Sequence, residues 1–123
     1  MPVKKIIALS AIAIAAALPS APAAAQSLAV KNIVALCTRG DVSKGVSDPS
    51  CIAYLEGFAT ALRVAGRPTN VAPRDAACVP EASSVDQKVL ALYQYVQTDP
   101  KTLELPAGTG IYRALARAYP CGR

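Results

Sequence analysis

The four cysteines of this 123-residue chain are the side chains with the widest choice of chemistry: Cys37, Cys51, Cys78 and Cys121. Zinc sites draw ligands from close pairs such as C-x-x-C or from histidine, whereas these cysteines are widely spaced and the chain contains no histidine. A thiol redox centre also needs C-x-x-C, and a cysteine nucleophile needs a histidine base. The spacing therefore favours disulfide bonds in an oxidising compartment.

Carboxylates are the next candidates, because without histidine general acid–base catalysis falls mainly to aspartate and glutamate. The eight acidic residues form no evident pair on one helical face: Asp41, Asp48, Glu56, Asp75, Glu81, Asp86, Asp99 and Glu104. The sequence also lacks a glycine-rich phosphate loop and a G-x-S-x-G nucleophile motif. We therefore expect no enzymatic activity, no catalytic residues, no metal site and no cofactor.

The N-terminus has the three parts of a cleavable export signal. Lys4 and Lys5 provide positive charge, residues 6–18 form an apolar run, and the small residues at 23–25 provide a cleavage site before Gln26. A retained membrane anchor is the alternative, but the apolar run is short for a bilayer span and prolines follow it. We expect residues 1–25 to be a signal peptide, residues 26–123 one periplasmic domain, and no membrane contact after cleavage.

The charge of the mature chain is too small to indicate a nucleic-acid partner. Loss of Lys4 and Lys5 would leave 11 basic residues against 8 acidic ones. The basic residues form no run and alternate with no aromatic ladder, so we expect all of them, Lys88 included, to lie on a solvated surface. Binding to an acidic partner is only a secondary interpretation.

The helices that must position these residues begin and end at recognisable signals. The first is expected from near Ser27 to Cys37. The second begins at Asp48-Pro49, an N-cap followed by proline, and ends at Gly66; Gly57 within it suggests the close approach of another helix. Its expected buried stripe is Ile52, Leu55, Phe58, Ala59 and Leu62.

The second half of the mature chain predicts two further helices. Ser84 and Gln87 form a capping box before the third, and Asp99-Pro100 ends it. The fourth is expected from Ile111, after a flexible stretch at 106–110, until Pro120 stops it. Strand signals are nearly absent, so we predict an all-α fold: an antiparallel bundle of four to five helices stapled by two disulfides.

Two disulfides can be assigned from these helix boundaries. Cys37 closes the first helix and Cys51 lies in the first turn of the second, whereas Cys78 precedes the third helix and Cys121 follows the fourth. In antiparallel hairpins each pair lies at one end, which predicts Cys37–Cys51 and Cys78–Cys121. Four cysteines allow three connectivities, and the sequence alone excludes none of them.

The chain resembles a known family through several ordered segments. They are CIAYLEGF at 51–58, CVP at 78–80, SVDQ at 84–87, YV at 95–96 with Asp99-Pro100, AL at 114–115 and AYPC at 118–121. Together they are similar to the Tai-type immunity proteins, also called the resistance-associated protein family. The matched residues suit a core or helix boundaries; Tyr54, Phe58, Leu62, Val89, Leu115 and Tyr119 are those expected in the core.

The resemblance implies a periplasmic, helical, disulfide-bonded protein of a kind that is often a homodimer. Such proteins protect a bacterium by binding and blocking a peptidoglycan amidase delivered through type VI secretion. We expect steric occlusion of the amidase cleft by a joint between helices. The candidate partner-binding residues lie in two joints: Arg67, Thr69, Asn70 and Arg74 at 66–77, and Lys101, Thr102, Glu104 and Thr109 at 99–110. Each is otherwise interpreted as an ordinary solvated loop residue.

Two other classes of protein remain open from the sequence. One is a small envelope stress protein or chaperone with the same helical fold and no effector partner. Without histidine it would lack the simplest switch near neutral pH, although carboxylates respond in strong acid. The other is a structural or assembly subunit of the envelope with no inhibitory role.

Overall fold

A computed structural model describes residues 28–39 and 48–122 of the chain. These residues form four α-helices: α1 (Val30–Thr38), α2 (Pro49–Ala65), α3 (Val85–Thr98) and α4 (Ala107–Ala118). Short 3-10 helices span Pro73–Asp75 and Pro100–Glu104. Within the described ranges no strand forms, and the predicted all-α class is confirmed. The predicted signal peptide at 1–25 and residues 40–47, between the first two helices, lie outside the described residues.

The boundaries of α2 are those that the sequence predicts. The Asp48 side chain accepts a hydrogen bond from the backbone N–H of Ser50 at 2.8 Å, and Pro49 occupies the first helical position. At the other end Gly66 adopts a φ of 73°, a left-handed conformation that favours glycine. The chain therefore turns sharply away from α2 at Gly66.

The capping box predicted for α3 is also present. Ser84 Oγ accepts a hydrogen bond from the Gln87 N–H at 3.2 Å, and Gln87 Oε1 accepts one from the Ser84 N–H at 2.9 Å. The helix ends at Thr98, and Asp99 is extended with a φ of −135°, as the following Pro100 requires.

The start of α1 differs from the prediction at Ser27. Leu28 and Ala29 run in an extended conformation because they pair with the chain that leads into α4. The Ala107 N–H donates to Leu28 O at 2.6 Å, and the Val30 N–H donates to Leu105 O at 3.0 Å. A helix that started near Ser27 would use Leu28 O as an intrahelical acceptor and would leave the Val30 N–H without a helical partner. Pairing with the chain that leads into α4 satisfies both groups, and the helix begins at Val30.

The predicted flexible stretch at 106–110 is wrong, because α4 already begins at Ala107. Glycine at position 110 serves close packing rather than flexibility. A Cβ there would overlap Val30 Cγ2 and lie 3.2 Å from Thr102 Cγ2. The two glycines that suggested a loop are therefore accommodated inside a helix, where Gly110 lets α4 lie against α1.

The core lies where all four helices meet. Its largest fully buried apolar side chains come from each of them: Val30, Ile33, Leu55, Leu92, Ile111 and Leu115. Of the expected core residues Leu115 is fully buried, whereas Tyr54, Phe58, Leu62, Val89 and Tyr119 are partly buried and pack around the core. Ile52 was expected in the buried stripe of α2, but it is 37% exposed.

Both predicted disulfides are present. Cys37–Cys51 joins the end of α1 to the first turn of α2, and Cys78–Cys121 joins the residues before α3 to those after α4. The second bond fixes α3 and α4 as an antiparallel pair, which also makes the most extensive helix contact in the described part of the chain. Chain-entropy estimates assign about 3 kcal/mol to the shorter loop and about 4 kcal/mol to the longer one.

Two expectations about single residues are wrong. Gly57 marks no helix contact, because a Cβ built there meets nothing within 4 Å. Lys88 is not solvated: its side chain is 1% exposed and lies against Glu56. The periodicity of α3 places Lys88 on the inner face, where a carboxylate and a backbone carbonyl compensate its charge.

Candidate partner-binding surface

The 66–77 joint presents an exposed loop between two fixed ends. Gly66 ends α2, and the 3-10 helix Pro73–Asp75 begins the return toward α3. Between them Arg67, Thr69 and Asn70 are exposed, and Thr69 and Asn70 form a turn. The 67–72 loop therefore presents polar side chains with little competing contact from the helices.

The C-terminal half of this joint is held by the end of the chain. Cys121 N–H donates to Pro73 O at 3.1 Å and to Ala76 O at 3.0 Å, while Cys78 N–H donates to Tyr119 O at 2.7 Å. An isolated bridge between Ala77 and Pro120 and the Cys78–Cys121 disulfide complete this attachment. The base of the 67–72 loop is thus rigidly attached, which limits the conformational entropy that binding would cost.

A depression of about 270 Å³ lies at the base of the same loop. Arg63, Gly66 and Arg67 line one side of it, and Ala77 to Val79 line the other. It is small for a ligand-binding pocket, which typically holds at least about 300 Å³. The depression suits a partner side chain better than a free small molecule.

The 99–110 joint, which is rich in proline and glycine, is mostly helical rather than a loop. Pro100–Glu104 is a 3-10 helix, and the residues after it pair with Leu28, Ala29 and Val30. Lys101, Glu104 and Thr109 remain exposed. Glu104 forms an ion pair with Lys31 at 2.8 Å. Because both side chains are exposed, this ion pair stabilises the fold by at most about 1 kcal/mol.

Thr102 stands apart from the other candidates because its side chain is buried. The residue is 1% exposed, and its methyl group faces the position of Gly110. Its hydroxyl is buried without a hydrogen-bond partner among the described residues. Thr102 supports the joint from inside, and a partner at the surface has no access to it.

The two sets of candidates lie at opposite ends of α4. The 99–110 joint leads into its first residue, Ala107, while the 66–77 joint is bonded to the residues just after its last, Ala118. A helix of this length, 12 residues, spans about 18 Å. The structure thus does not merge the two sets into one site.

A cationic groove beside the 66–77 joint was not predicted from the sequence. It holds about 380 Å³ and includes Arg74, Asp75, Arg113 and Arg117 in its lining, together with the aromatic rings of Tyr95 and Tyr112. Arg113 and Arg117 are four residues apart on α4 and share a face. That spacing was visible in the sequence, but the contribution of Arg74 from a distant joint was not.

One ion pair and one partly buried tyrosine affect the charges near this surface. Arg74 lies 3.7 Å from Asp75, but both side chains are largely exposed, so the pair is weak. Burial raises the pKa of Tyr119, which lies beside the attachment of the 66–77 joint. Its phenol is therefore neutral at physiological pH.

Two further structural findings bear on the site. Over residues 28–39 and 48–122 no group of three potential ligands could hold a metal ion. In the same ranges no helix is both long and apolar enough to cross a membrane.

Comparison with known proteins identifies the family. The model of the Rap1a immunity proteins matches residues 29–121, which cover all four described helices and all four cysteines. The chain therefore belongs to the Rap1a immunity protein family. No curated protein and no solved structure matches it significantly.

Proposed function

We propose that this member of the Rap1a immunity family is a periplasmic protein that binds a type VI secretion peptidoglycan amidase and occludes its active-site cleft. Family membership supports an immunity role through binding of an effector protein. The amidase, the homodimer and the exported location are the further parts of the proposal. Two disulfides suit an oxidising compartment such as the periplasm.

The observation that carries the occlusion mechanism is the 67–72 loop on its clamped base. A loop that occludes a cleft, here called the plug, must project polar side chains and must keep its conformation when the partner binds. Arg67, Thr69 and Asn70 provide the first property, and the attachment of Pro73 and Cys78 to the chain end provides the second. Pre-organisation of this kind raises affinity by reducing the entropy lost on binding.

The 99–110 joint is the second candidate contact. Since it lies about 18 Å from the other joint along α4, one narrow cleft would accommodate only one of them. We assign the plug to the 67–72 loop because that loop has few competing contacts, and we assign Lys101, Glu104 and Thr109 to the rim of the interface.

A protection assay tests the proposal. A bacterial host exports a candidate type VI amidase effector to its periplasm, and the full-length chain is co-produced with it. The wild-type chain should restore growth. R67A/T69A/N70A should lose most protection, and K101A/E104A/T109A should lose less, with both variants retaining helical circular dichroism and their disulfides.

A matched control separates recognition from general surface change. R39A/Q97A alters two exposed residues outside both joints and should protect like the wild type. Full protection by both joint variants would overturn the occlusion mechanism. The absence of any binding between the wild-type chain and the amidase in a pull-down would overturn the amidase assignment.

A further inference from the structure

The cationic groove extends beyond the residues that line its deepest part. A second depression, of about 300 Å³, is lined by Gln94, Thr98 and Ala118 and shares Tyr95 and Arg117 with the first. The two depressions are therefore adjacent along the surface between α3 and α4. A single inorganic anion would occupy a fraction of this space, whereas an extended peptide segment could follow it.

The groove carries an excess of positive charge. Three guanidinium groups, those of Arg74, Arg113 and Arg117, line it with a single carboxylate, that of Asp75. Asp75 is nearest Arg74, and Arg113 and Arg117 have no ion-pair partner among the described residues. Guanidinium groups form bidentate hydrogen bonds with carboxylates, so these two arginines favour Asp or Glu side chains.

The aromatic residues of the groove favour a protein as the source of those carboxylates. Tyr95 and Tyr112 are partly buried and lie beside the arginines. Tyrosine and arginine are the residue types enriched at protein–protein hot spots, because each combines a broad apolar face with polar atoms. The Tyr112 hydroxyl is buried without a hydrogen-bond partner in the described part of the chain, which leaves a polar atom beside the groove unsatisfied.

From these observations we infer that the groove formed by Arg74, Arg113, Arg117, Tyr95 and Tyr112 binds an acidic, extended segment of the protein partner. The inference rests on the proposed function for the existence of that partner. It adds a second contact, adjacent to the base of the 67–72 loop through Arg74. The loop would fill the cleft, and the groove would hold an acidic segment outside it.

Peptide titration tests the inference without the amidase. Fluorescently labelled hexaglutamate is titrated with the purified mature protein at low and at physiological salt, with hexaglutamine as the neutral control. The wild type should bind hexaglutamate and should not bind hexaglutamine. Its affinity for hexaglutamate should fall at higher salt because the contacts are ionic. R113Q/R117Q should weaken binding at least about tenfold, since charge-assisted hydrogen bonds are among the stronger ones.

The matched control removes the same charge elsewhere. K31Q/R39Q neutralises two exposed basic residues that line neither the groove nor the depression at the base of the 67–72 loop, and should change the affinity less than about threefold. In the wild type, the Nε–Hε signals of Arg74, Arg113 and Arg117 should shift on peptide addition, while that of Arg39 stays in place. Equal weakening by both double variants, or no binding by the wild type, would overturn the groove assignment.

This design separates the two proposals. The titration contains no amidase, so its failure refutes the acidic-segment groove and leaves the protection assay unaffected. Conversely, hexaglutamate binding localised to the groove would stand even if an amidase proved not to be the partner.

Discussion

Lys88 Nζ lies 2.7 Å from Glu56 Oε1 and joins α3 to α2 across the side of the bundle. The lysine side chain is 1% exposed, whereas the glutamate is 38% exposed. Lys88 also donates to Ser83 O at 2.8 Å, so its ammonium group holds the chain that enters α3. The cost of removing this charge from water falls almost entirely on the lysine.

This asymmetry predicts unequal effects of substitution at the two partners. E56A would leave a buried ammonium group with one carbonyl as its partner and should lower the free energy of unfolding by about 2 to 4 kcal/mol. K88M removes the buried charge, and Glu56 can then face water, so the loss should be about 1 kcal/mol. Urea unfolding followed by circular dichroism measures both.

The double variant K88M/E56A provides the control for this pair. It should be close to K88M in stability, because the penalty of E56A arises from the lysine that is left behind. A larger loss for K88M than for E56A would show that the lysine stem and its Ser83 contact matter more than the ion pair.

Two helical glycines provide a matched prediction of opposite sign. G110A introduces a methyl group against Val30 and Thr102 and should destabilise the protein by about 1 to 3 kcal/mol. G57A adds the same group at an exposed helical position with nothing within 4 Å and should stabilise it by up to about 1 kcal/mol. Thermal unfolding should therefore shift down for the first and up for the second; shifts in the same direction would contradict the packing of α4 on α1.

The disulfides should differ in their susceptibility to reduction. Cys37 and Cys51 are 3% and 0% exposed, whereas Cys78 is exposed and Cys121 partly so. Thiol–disulfide exchange requires a thiolate to reach a sulfur atom, so limited dithiothreitol should open Cys78–Cys121 first. Alkylation followed by peptide mass spectrometry identifies the order, and earlier labelling of Cys37 and Cys51 would refute it.

Local signals made the fold largely predictable. Asp48-Pro49, Gly66, Ser84 with Gln87 and Asp99-Pro100 each act within a few residues, and each ends or starts a helix as expected. The disulfide pairing followed from those boundaries, because it needed only the ends of antiparallel helices. Features of this kind depend on neighbours in the sequence.

The errors arose where a distant segment decides the outcome. The sequence at 106–110 favours a loop, but Gly110 is required by Val30, and α1 starts late because Leu28 bonds to Ala107. The burial of Lys88 depends on Glu56, which lies on another helix and compensates the charge of the lysine. The cationic groove escaped prediction for the same reason, since Arg74 meets Arg113 and Arg117 only through the folded chain end.

Tyr93 combines a core position with an unsatisfied polar atom. The residue packs against the core, and its hydroxyl is buried without a hydrogen-bond partner among the described residues. This burial raises the pKa of Tyr93 above the ordinary tyrosine value of about 10. Above that pH the unfolded chain loses a proton that the folded chain keeps, so stability should fall as the pH rises beyond 10.

Y93F should remove both effects. Loss of an unsatisfied buried hydroxyl should raise the free energy of unfolding at pH 7 by about 1 kcal/mol, because nothing that it bonds to is left behind. The decline in stability above pH 10 should also be shallower than in the wild type, since one fewer phenol ionises on unfolding. Urea titrations at pH 7 and above pH 10 measure both, and a destabilised Y93F at pH 7 would show that the hydroxyl is satisfied in solution.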